Sequence, residues 1–427
     1  MAVIVFLGVL LCSLFIGVPI AFGLLLSAIV LMFYIDSYNA TIIAQNLMKG
    51  AQSFTLIAAP FFILAGEIMN TGGIGKRLVD LGLAVFGHIK GGLGYVVIIA
   101  SIIFAGLSGS ALADAAALGA ILLPMMAKGG YDKGQSMGLI ASGSLIALVI
   151  PPSISLIMYG AIANVSITKL FMAGFAPGIY MAIGLCITWF IIVRRNKDIQ
   201  VLPRKSFGEI WKAFISAIWA LILPCIIIFG LRGGIFTPAE AASVAVFYAL
   251  FVSLFIYKEM KIKDLGKILV RSAKMTSVVM LMVAAAMAGA WVITVANIPV
   301  QLAELLGPIA DQPLLLIVIT MVITLLLGMI MDTGPIILIL VPIVLPMLTA
   351  AGVDPVYFGI LIVLNGAIGL ITPPVGSVLN VGISISKLTM GQLTKGIMPF
   401  LLTYMAILVL LILFPSLIMV PLEWLLK

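Results

Sequence analysis

Shifting the 427-residue sequence by 222 positions lays its first half on its second without a gap. Ile121-Leu-Leu-Pro-Met125 falls on Ile343-Val-Leu-Pro-Met347, and Pro151-Pro152 on Pro373-Pro374. Gly106 falls on Gly328, Asp132 on Asp354, Ser155 on Ser377, Gly174 on Gly396 and Pro177 on Pro399. Coincident Leu or Ile is expected by chance in an apolar chain. Coincident Gly, Pro and Asp in one register is not. Any fold must therefore build one plan twice, dividing the chain at about residues 1–205 and 206–427.

That plan belongs in a membrane. The chain is 63% hydrophobic and 9% charged, and about ten of its apolar runs approach the ~20 residues a spanning helix needs. Lipid offers backbone groups no partner, so the spans are expected to be helical. The net charge of +8 is not a nucleic-acid signal, because Lys and Arg cluster in short loops as orientation determinants do. The first apolar run lacks a basic flank, so no cleaved signal peptide is expected. Cys12, Cys186 and Cys225 lie in apolar runs at no disulfide or metal spacing and read as free thiols.

In order, residues 3–16 and 20–35 are two spans or one kinked helix broken at Gly17-Val18-Pro19. Residues 36–53 suit an interfacial helix, 54–69 a span, and 74–90 an amphipathic segment. A helical hairpin is expected over 93–127, and a helix broken at Pro151-Pro152-Ser153 over 136–161. A clean span, 170–193, leads to a loop at 194–205 with five Lys or Arg. Two continuous spans, 210–231 and 239–257, precede a second basic loop at 258–274 with six. A span over 275–295 follows. The second hairpin is expected over 314–348, the second broken helix, interrupted at Thr372-Pro373-Pro374, over 358–385, and a last span from about 397.

Both basic loops read as cytoplasmic. Counting spans from them, the first hairpin opens to the cytoplasm, flanked by Lys90, Lys128 and Lys133. The second opens to the outer face, flanked by Asp311 and Asp354. The repeats then have opposite topology. Inverted repeats with helices broken near the midplane characterise secondary transporters.

The first hairpin turns within residues 104–120, a Gly-Ser knot between two short apolar arms. The competing reading is one helix whose small residues pack closely. As hairpins, the tips are Ser108-Gly109-Ser110 and Asp332-Thr333-Gly334, Ser110 aligning with Asp332. Each is expected to meet the broken span of its own half. Ser142-Gly143-Ser144 and Pro151-Pro152-Ser153 serve the first; Asn365-Gly366 and Thr372-Pro373-Pro374 serve the second. Proline removes donors and leaves carbonyls uncommitted. With hydroxyl and amide oxygens these are hard ligands, suited to Na⁺ rather than a soft metal. The expected cages are Ser108, Gly109, Ser110, Gly143 and Pro151, and Asp332, Thr333, Gly334, Asn365, Gly366, Thr372 and Pro373. Pro kinks with small-residue packing and no ion are the alternative.

Of the acids, Asp332 at a tip reads as cation-binding or tip-stabilising. Asp114 either acts there or caps locally. Glu67 reads as a structural partner at the interface, and Glu240, after Thr237-Pro238, as a helix-start residue. The lone His88 reads as a surface residue. With one His there is no His metal cluster, and Gly72-Gly-Ile-Gly-Lys76 lacks Walker spacing. No cofactor is expected, and energy must come from an ion gradient. No catalytic constellation is visible, which disfavours an enzyme, and hairpin-capped broken helices disfavour an open pore.

At these residues the chain resembles a known family. Pro60-Phe-Phe-Ile-Leu-Ala-Gly-Glu67, Gly106-Leu-Ser-Gly-Ser-Ala-Leu-Ala-Asp114, Ile150-Pro-Pro-Ser153, Phe236-Thr-Pro-Ala-Glu-Ala241 and Ile371-Thr-Pro-Pro-Val-Gly376 look like the large membrane subunit of TRAP (tripartite ATP-independent periplasmic) transporters. The resemblance covers the whole chain. It implies an all-α elevator in the bacterial inner membrane, with about ten spans plus two re-entrant hairpins in two inverted repeats. It also implies Na⁺-driven uptake of an organic acid delivered by a soluble periplasmic binding protein, with a small membrane subunit as a separate chain. Members importing sugar acids or sialic acid look nearer than those importing C4-dicarboxylates. An acid bound beside the cages would meet Ser108, Ser153, Thr333 and Pro374. A standalone Na⁺-coupled dicarboxylate or citrate symporter of similar build is the alternative.

Overall fold

The structure, a computed structural model, describes residues 1–195, 199–307 and 312–427. Asn196 and Lys197 of the first basic loop, and Asp311 beside the second hairpin, lie outside the described residues. Among the described residues there are twenty α-helices and no strand. Eight helices among those residues are long and apolar enough to cross a membrane.

Helices α1 (Ala2–Phe15) and α2 (Ile20–Tyr34) are separate, divided at Gly17-Val18-Pro19. Then come α3 (Ala40–Ala51), α4 (Ala58–Thr71) and α5 (Ile74–Phe86). The first hairpin is α6 (Gly92–Ser108) and α7 (Ala111–Lys128), so the single-helix reading of that stretch is wrong. The first broken helix is α8 (Lys133–Ser144), a 3₁₀ turn (Leu145–Leu148) and α9 (Ile154–Ala163). Helices α10 (Ile167–Arg195), α11 (Phe207–Arg232) and α12 (Pro238–Phe251) follow, α12 closing in a π-turn (Val252–Ile256).

The second basic loop is a correction. Helix α13 runs Ile262–Val295, so most of 258–274 is its first three turns. Leu265, Ile268 and Leu269 interleave with Lys263, Lys267 and Arg271, which is helical rather than loop spacing. At 34 residues it is about 51 Å long, well beyond the ~30 Å hydrocarbon core. Beyond it lie α14 (Ile298–Leu306), the second hairpin α15 (Pro313–Gly328) and α16 (Thr333–Ala350), and the second broken helix α17 (Pro355–Gly369) and α18 (Ser377–Ser386). The last span also needs correction. It starts earlier, as α19 (Met390–Leu413), and breaks at Pro415 before α20 (Ser416–Leu426), because proline removes a donor and disfavours helix in the residue before it.

Helices α7 and α16 occupy positions 222 apart at both ends, and α8 and α17 begin 222 apart. The register departs elsewhere: α3 and α4 are two helices where α13 is one, and α10 is one helix where α19 and α20 are two.

The core lies at the broken helices. Helix α8 is buried continuously from Ser136 to Ser144, and α17 from Val356 to Gly369. Around them pack α6, α7, α9, α10 and α15 to α19. A flanking layer holds α1 to α5 and α11 to α13, with α4 on α12 and both α3 and α2 on α13. Long-range hydrogen bonds lock the core: Tyr404 Oη donates to the Ser142 carbonyl at 2.8 Å, and Tyr357 Oη to the Leu411 carbonyl at 2.9 Å. Outward, Phe207, Trp211, Ile215 and Phe229 of α11 are exposed, as lipid-facing side chains are. Glu240 closes a capping box with Thr237, as its place after Pro238 would suggest. The three cysteines are unpaired.

Helices α8 and α19 meet through glycine. A Cβ at Gly138 would stand 2.9 Å from the Gly396 carbonyl oxygen. Close backbone approach of this kind drives helix association in lipid. Gly138→Val should therefore lower stability by about 1–3 kcal/mol, read as a fall in the detergent melting temperature; an unchanged melt would show that α8 and α19 can part without cost.

Candidate functional site

At the first tip α6 ends at Ser108, Gly109 takes a left-handed φ of +62°, and Ser110 caps α7. A Cβ at Gly109 would lie 2.5 Å from the Pro152 carbonyl oxygen and 3.4 Å from the Ile154 nitrogen. Glycine thus serves twice here: it permits the turn and lets the tip lie on the break. Ser108 Oγ donates to Asp114 Oδ1 at 2.5 Å and accepts the Ser110 N–H at 3.2 Å. Ser110 Oγ accepts the Ala113 N–H at 3.4 Å. Asp114, which sequence left between local pairing and function, does pair locally.

The first break is wholly buried at Pro151, Pro152 and Ser153. Ser153 Oγ donates to the Leu148 carbonyl at 2.5 Å and accepts the Leu156 N–H at 3.2 Å. Its hydroxyl is thereby committed to the break. Gly143 lies against Ser101 of α6, whose Cβ would be 3.2 Å from an added Cβ. The buried Ser101 and Ser142 hydroxyls have no hydrogen-bond partner among the described residues.

The second turn occupies residues 329–332, and Asp332 stands at the N-cap of α16. Thr333 and Gly334 thus belong to the first turn of α16 rather than to the tip itself. The Gly376 N–H donates to the Met329 carbonyl at 3.0 Å, tying tip to break. Asp332 is exposed and its Oδ1 accepts the Ser377 hydroxyl at 2.6 Å. Thr333 lies against Gly366, where an added Cβ would be 3.2 Å from Thr333 Oγ1. Asn365 Nδ2 donates to the Met321 carbonyl at 2.5 Å, leaving Oδ1. Thr333 Oγ1 and Asn365 Oδ1 are buried with no partner among the described residues. Thr372 Oγ1 donates to the Ile368 carbonyl at 2.8 Å; Pro373 is half-buried and Pro374 exposed.

Each tip meets the break of its own half, as expected, but the halves do not form separate units. Helix α9 packs on α16, with Met158 against Gly334, and α18 packs on α7. The two hairpins and two broken helices interleave as one body. The buried orphan oxygens of Thr333 and Asn365, beside Gly366, are neutral and hard, a donor set that fits an alkali cation.

A cavity of about 20 Å³ separates the first tip from the flanking layer, room for about one water. Ser108 and Ser110 line one side, Glu67 and Asn70 of α4 and Met275 of α13 the other. Glu67 Oε2 pairs with Arg271 Nη1 at 3.2 Å, the interfacial partnership its position suggests. Sequence reading missed Ser101, Asn70 and Arg271. Ser101 lies alone in an apolar arm and breaks no periodicity; Arg271 sits among orientation charges.

A helical membrane body whose helices break at its centre, around buried oxygens and glycines, defines a secondary-transporter class of site. Residues 7–417 match the family described as "Tripartite ATP-independent periplasmic transporter, DctM component", and the chain belongs to that family. It is 50% identical over 427 residues to the 2,3-diketo-L-gulonate TRAP transporter large permease protein YiaN of Escherichia coli, covering 99% of this chain and 100% of that protein. It is 36% identical to the sialic acid large permease SiaM of Vibrio cholerae, covering 94% of each. It is 37% identical to the C4-dicarboxylate large permease DctM of Pseudomonas aeruginosa, covering 93% and 92%. The fold resembles the YdaH transporter of Alcanivorax borkumensis, with a TM-score of 0.62 at 15% identity over 88% of each chain. The chain is a multi-pass transport permease, not an enzyme.

Gly109→Ala should abolish uptake while the protein still reaches the membrane. A side chain at positive φ costs about 1–2 kcal/mol, and the added Cβ would push the tip off Pro152. Gly234→Ala, at φ +64° with open space around it, shares the strain without the clash. Equal uptake by the two variants would show that the tip-to-break contact is dispensable.

Proposed function

We propose that this chain is the large subunit of a Na⁺-coupled importer of an organic acid in a bacterial inner membrane. A soluble periplasmic binding protein delivers the acid, and a small membrane subunit completes the assembly. The observation that carries the reading is the pair of hairpin tips lodged on proline breaks beside unpartnered buried oxygens, in a member of a tripartite family. The full-length relative named for 2,3-diketo-L-gulonate favours a sugar acid over a simple dicarboxylate.

The two halves form inverted repeats, supported by the 222-residue register of α7 with α16. The interleaved hairpins and broken helices carry substrate by sliding, as in an elevator, along a scaffold that includes α4 and α11 to α13. Na⁺ at the tips offsets the substrate's carboxylate, and the Thr333 hydroxyl, which has no hydrogen-bond partner among the described residues, donates to it. Glu67, paired with Arg271, faces the first tip from the scaffold.

Uptake into proteoliposomes should require both Na⁺ and the cognate binding protein, with a Hill coefficient for Na⁺ above one. Equal uptake in choline buffer would exclude Na⁺ coupling; equal uptake without the binding protein would favour a standalone symporter. Thr333→Ala breaks no hydrogen bond in this structure, so a several-fold rise in the Na⁺ requirement would report the ion directly. Ser110→Ala should raise it too, though that change also removes a cap.

The slide has its own test. A cross-link from Ile102 on α6 to a scaffold helix should stop uptake. Unchanged uptake in the cross-linked protein would refute it. Cysteines at Lys263 and Gly233 should label from the cytoplasm and the periplasm respectively; the opposite pattern would overturn the orientation.

A further inference from the structure

Helix α18 exposes side chains unsuited to lipid. Ser377, Asn380, Ser384 and Lys387 recur every three or four residues, the spacing of one helix face. Ser377 is half-buried and the other three are exposed, while Val378, Leu379, Gly382 and Ser386 are buried. Helix α10 shows what lipid selects: its exposed side chains include Ile179, Ile183, Ile187 and Phe190. Polar side chains at membrane depth face protein or a water-filled cavity. The polar face of α18 starts at the second tip, where the Ser377 hydroxyl donates to Asp332. At ten residues the helix is about 15 Å long, half the hydrocarbon thickness, so this face leads from the break to the membrane surface. Lys387 stands at its end and belongs to neither ion pair among the described residues. The first half differs. The matching positions on and beyond α9 are Ser155, Met158, Ile162 and Val165; the first two are buried and the others half-buried. Helix α9 packs on α4 and α13 of the flanking layer as well as on α16, whereas α18 packs on α7, α8 and α19.

We propose that the polar face of α18 is the wall along which the substrate leaves for the cytoplasm, and that Lys387 at its mouth draws out the carboxylate. This rests on the orientation and the organic-acid reading above. A cation at the mouth of a passage with low-dielectric walls raises the local concentration of anions. The Asn380 amide both donates and accepts. Ser384 Oγ donates to the Val381 carbonyl at 2.8 Å, which leaves it free to accept. These groups match the hydroxyls of a hydroxylated acid, whereas the methylenes of a simple dicarboxylate can use neither.

Thiol labelling of the whole transporter in inverted membrane vesicles tests this, in a chain whose Cys12, Cys186 and Cys225 are replaced by alanine. Asn380→Cys and Ser384→Cys should react with anionic sulfonatoethyl methanethiosulfonate, and Ile183→Cys on α10 should not. Silence at all three positions would show that α18 faces lipid and would overturn the path. Adding Lys387→Gln to Ser384→Cys should slow the anionic reagent several-fold and speed its cationic trimethylammonium analogue. An unchanged ratio of the two rates would remove the role of Lys387. Gluconate should slow labelling of Ser384→Cys more than an equal concentration of succinate. Equal protection, or none, would overturn the match to a hydroxylated acid. Labelling of Asn380→Cys and Ser384→Cys from right-side-out vesicles alone would instead overturn the orientation on which this rests, and uptake indifferent to Na⁺ would remove the coupling while leaving the path.

Discussion

Inside a bilayer an N–H or C=O without a partner costs several kcal/mol, and this chain interrupts its helices four times in its core. Those interruptions are stable because they close on one another. Gly109 lies on the Pro152 carbonyl, and Gly376 N–H reaches back to Met329. Ser153 bonds both sides of its own break. The burial of α8 and α17 follows, because only helices shielded on every side can end in mid-membrane without meeting lipid. The site follows as well: the oxygens left over when the breaks close include those of Thr333, Asn365, Ser101, Ser142 and Asp114.

Charge is placed by the same constraint. Between Lys212 and Arg232 helix α11 carries no charged residue. Arg271 and Glu67 lie on the layer that flanks the first tip and neutralise each other. Asp332 stays on the exposed side of the second tip, where Ser377 and water can share it. Among the described residues Asp114 is the one enclosed acid.

The two halves share a plan but not an environment. Pro151 and Pro152 are sealed, whereas Pro374 and Val375 are exposed. Helices α3 and α4 are divided, while their counterpart α13 is continuous through its basic turns. One register therefore gives one sealed and one open break.

Much of the fold was legible in the chain itself. Apolar run lengths announced the membrane, the 222-residue register announced two hairpins and two broken helices, and Gly109 and the Pro-Pro pairs marked the interruptions. These are local properties: run length, missing donors and permitted φ depend on neighbours in sequence. Where charge and apolar residues interleave, as over 258–274, local reading chose a loop and was wrong, because lysines fit a helix that rises out of the membrane. What only tertiary structure decided was company. That α9 belongs with α16 and α18 with α7, that Ser101 faces Gly143, that Asn70 and Glu67 look onto Ser108, and that Asp114 is enclosed while Asp332 is not, all depend on residues far apart in sequence. Hydropathy and spacing can show that a helix breaks; which distant surface receives the break is settled by packing.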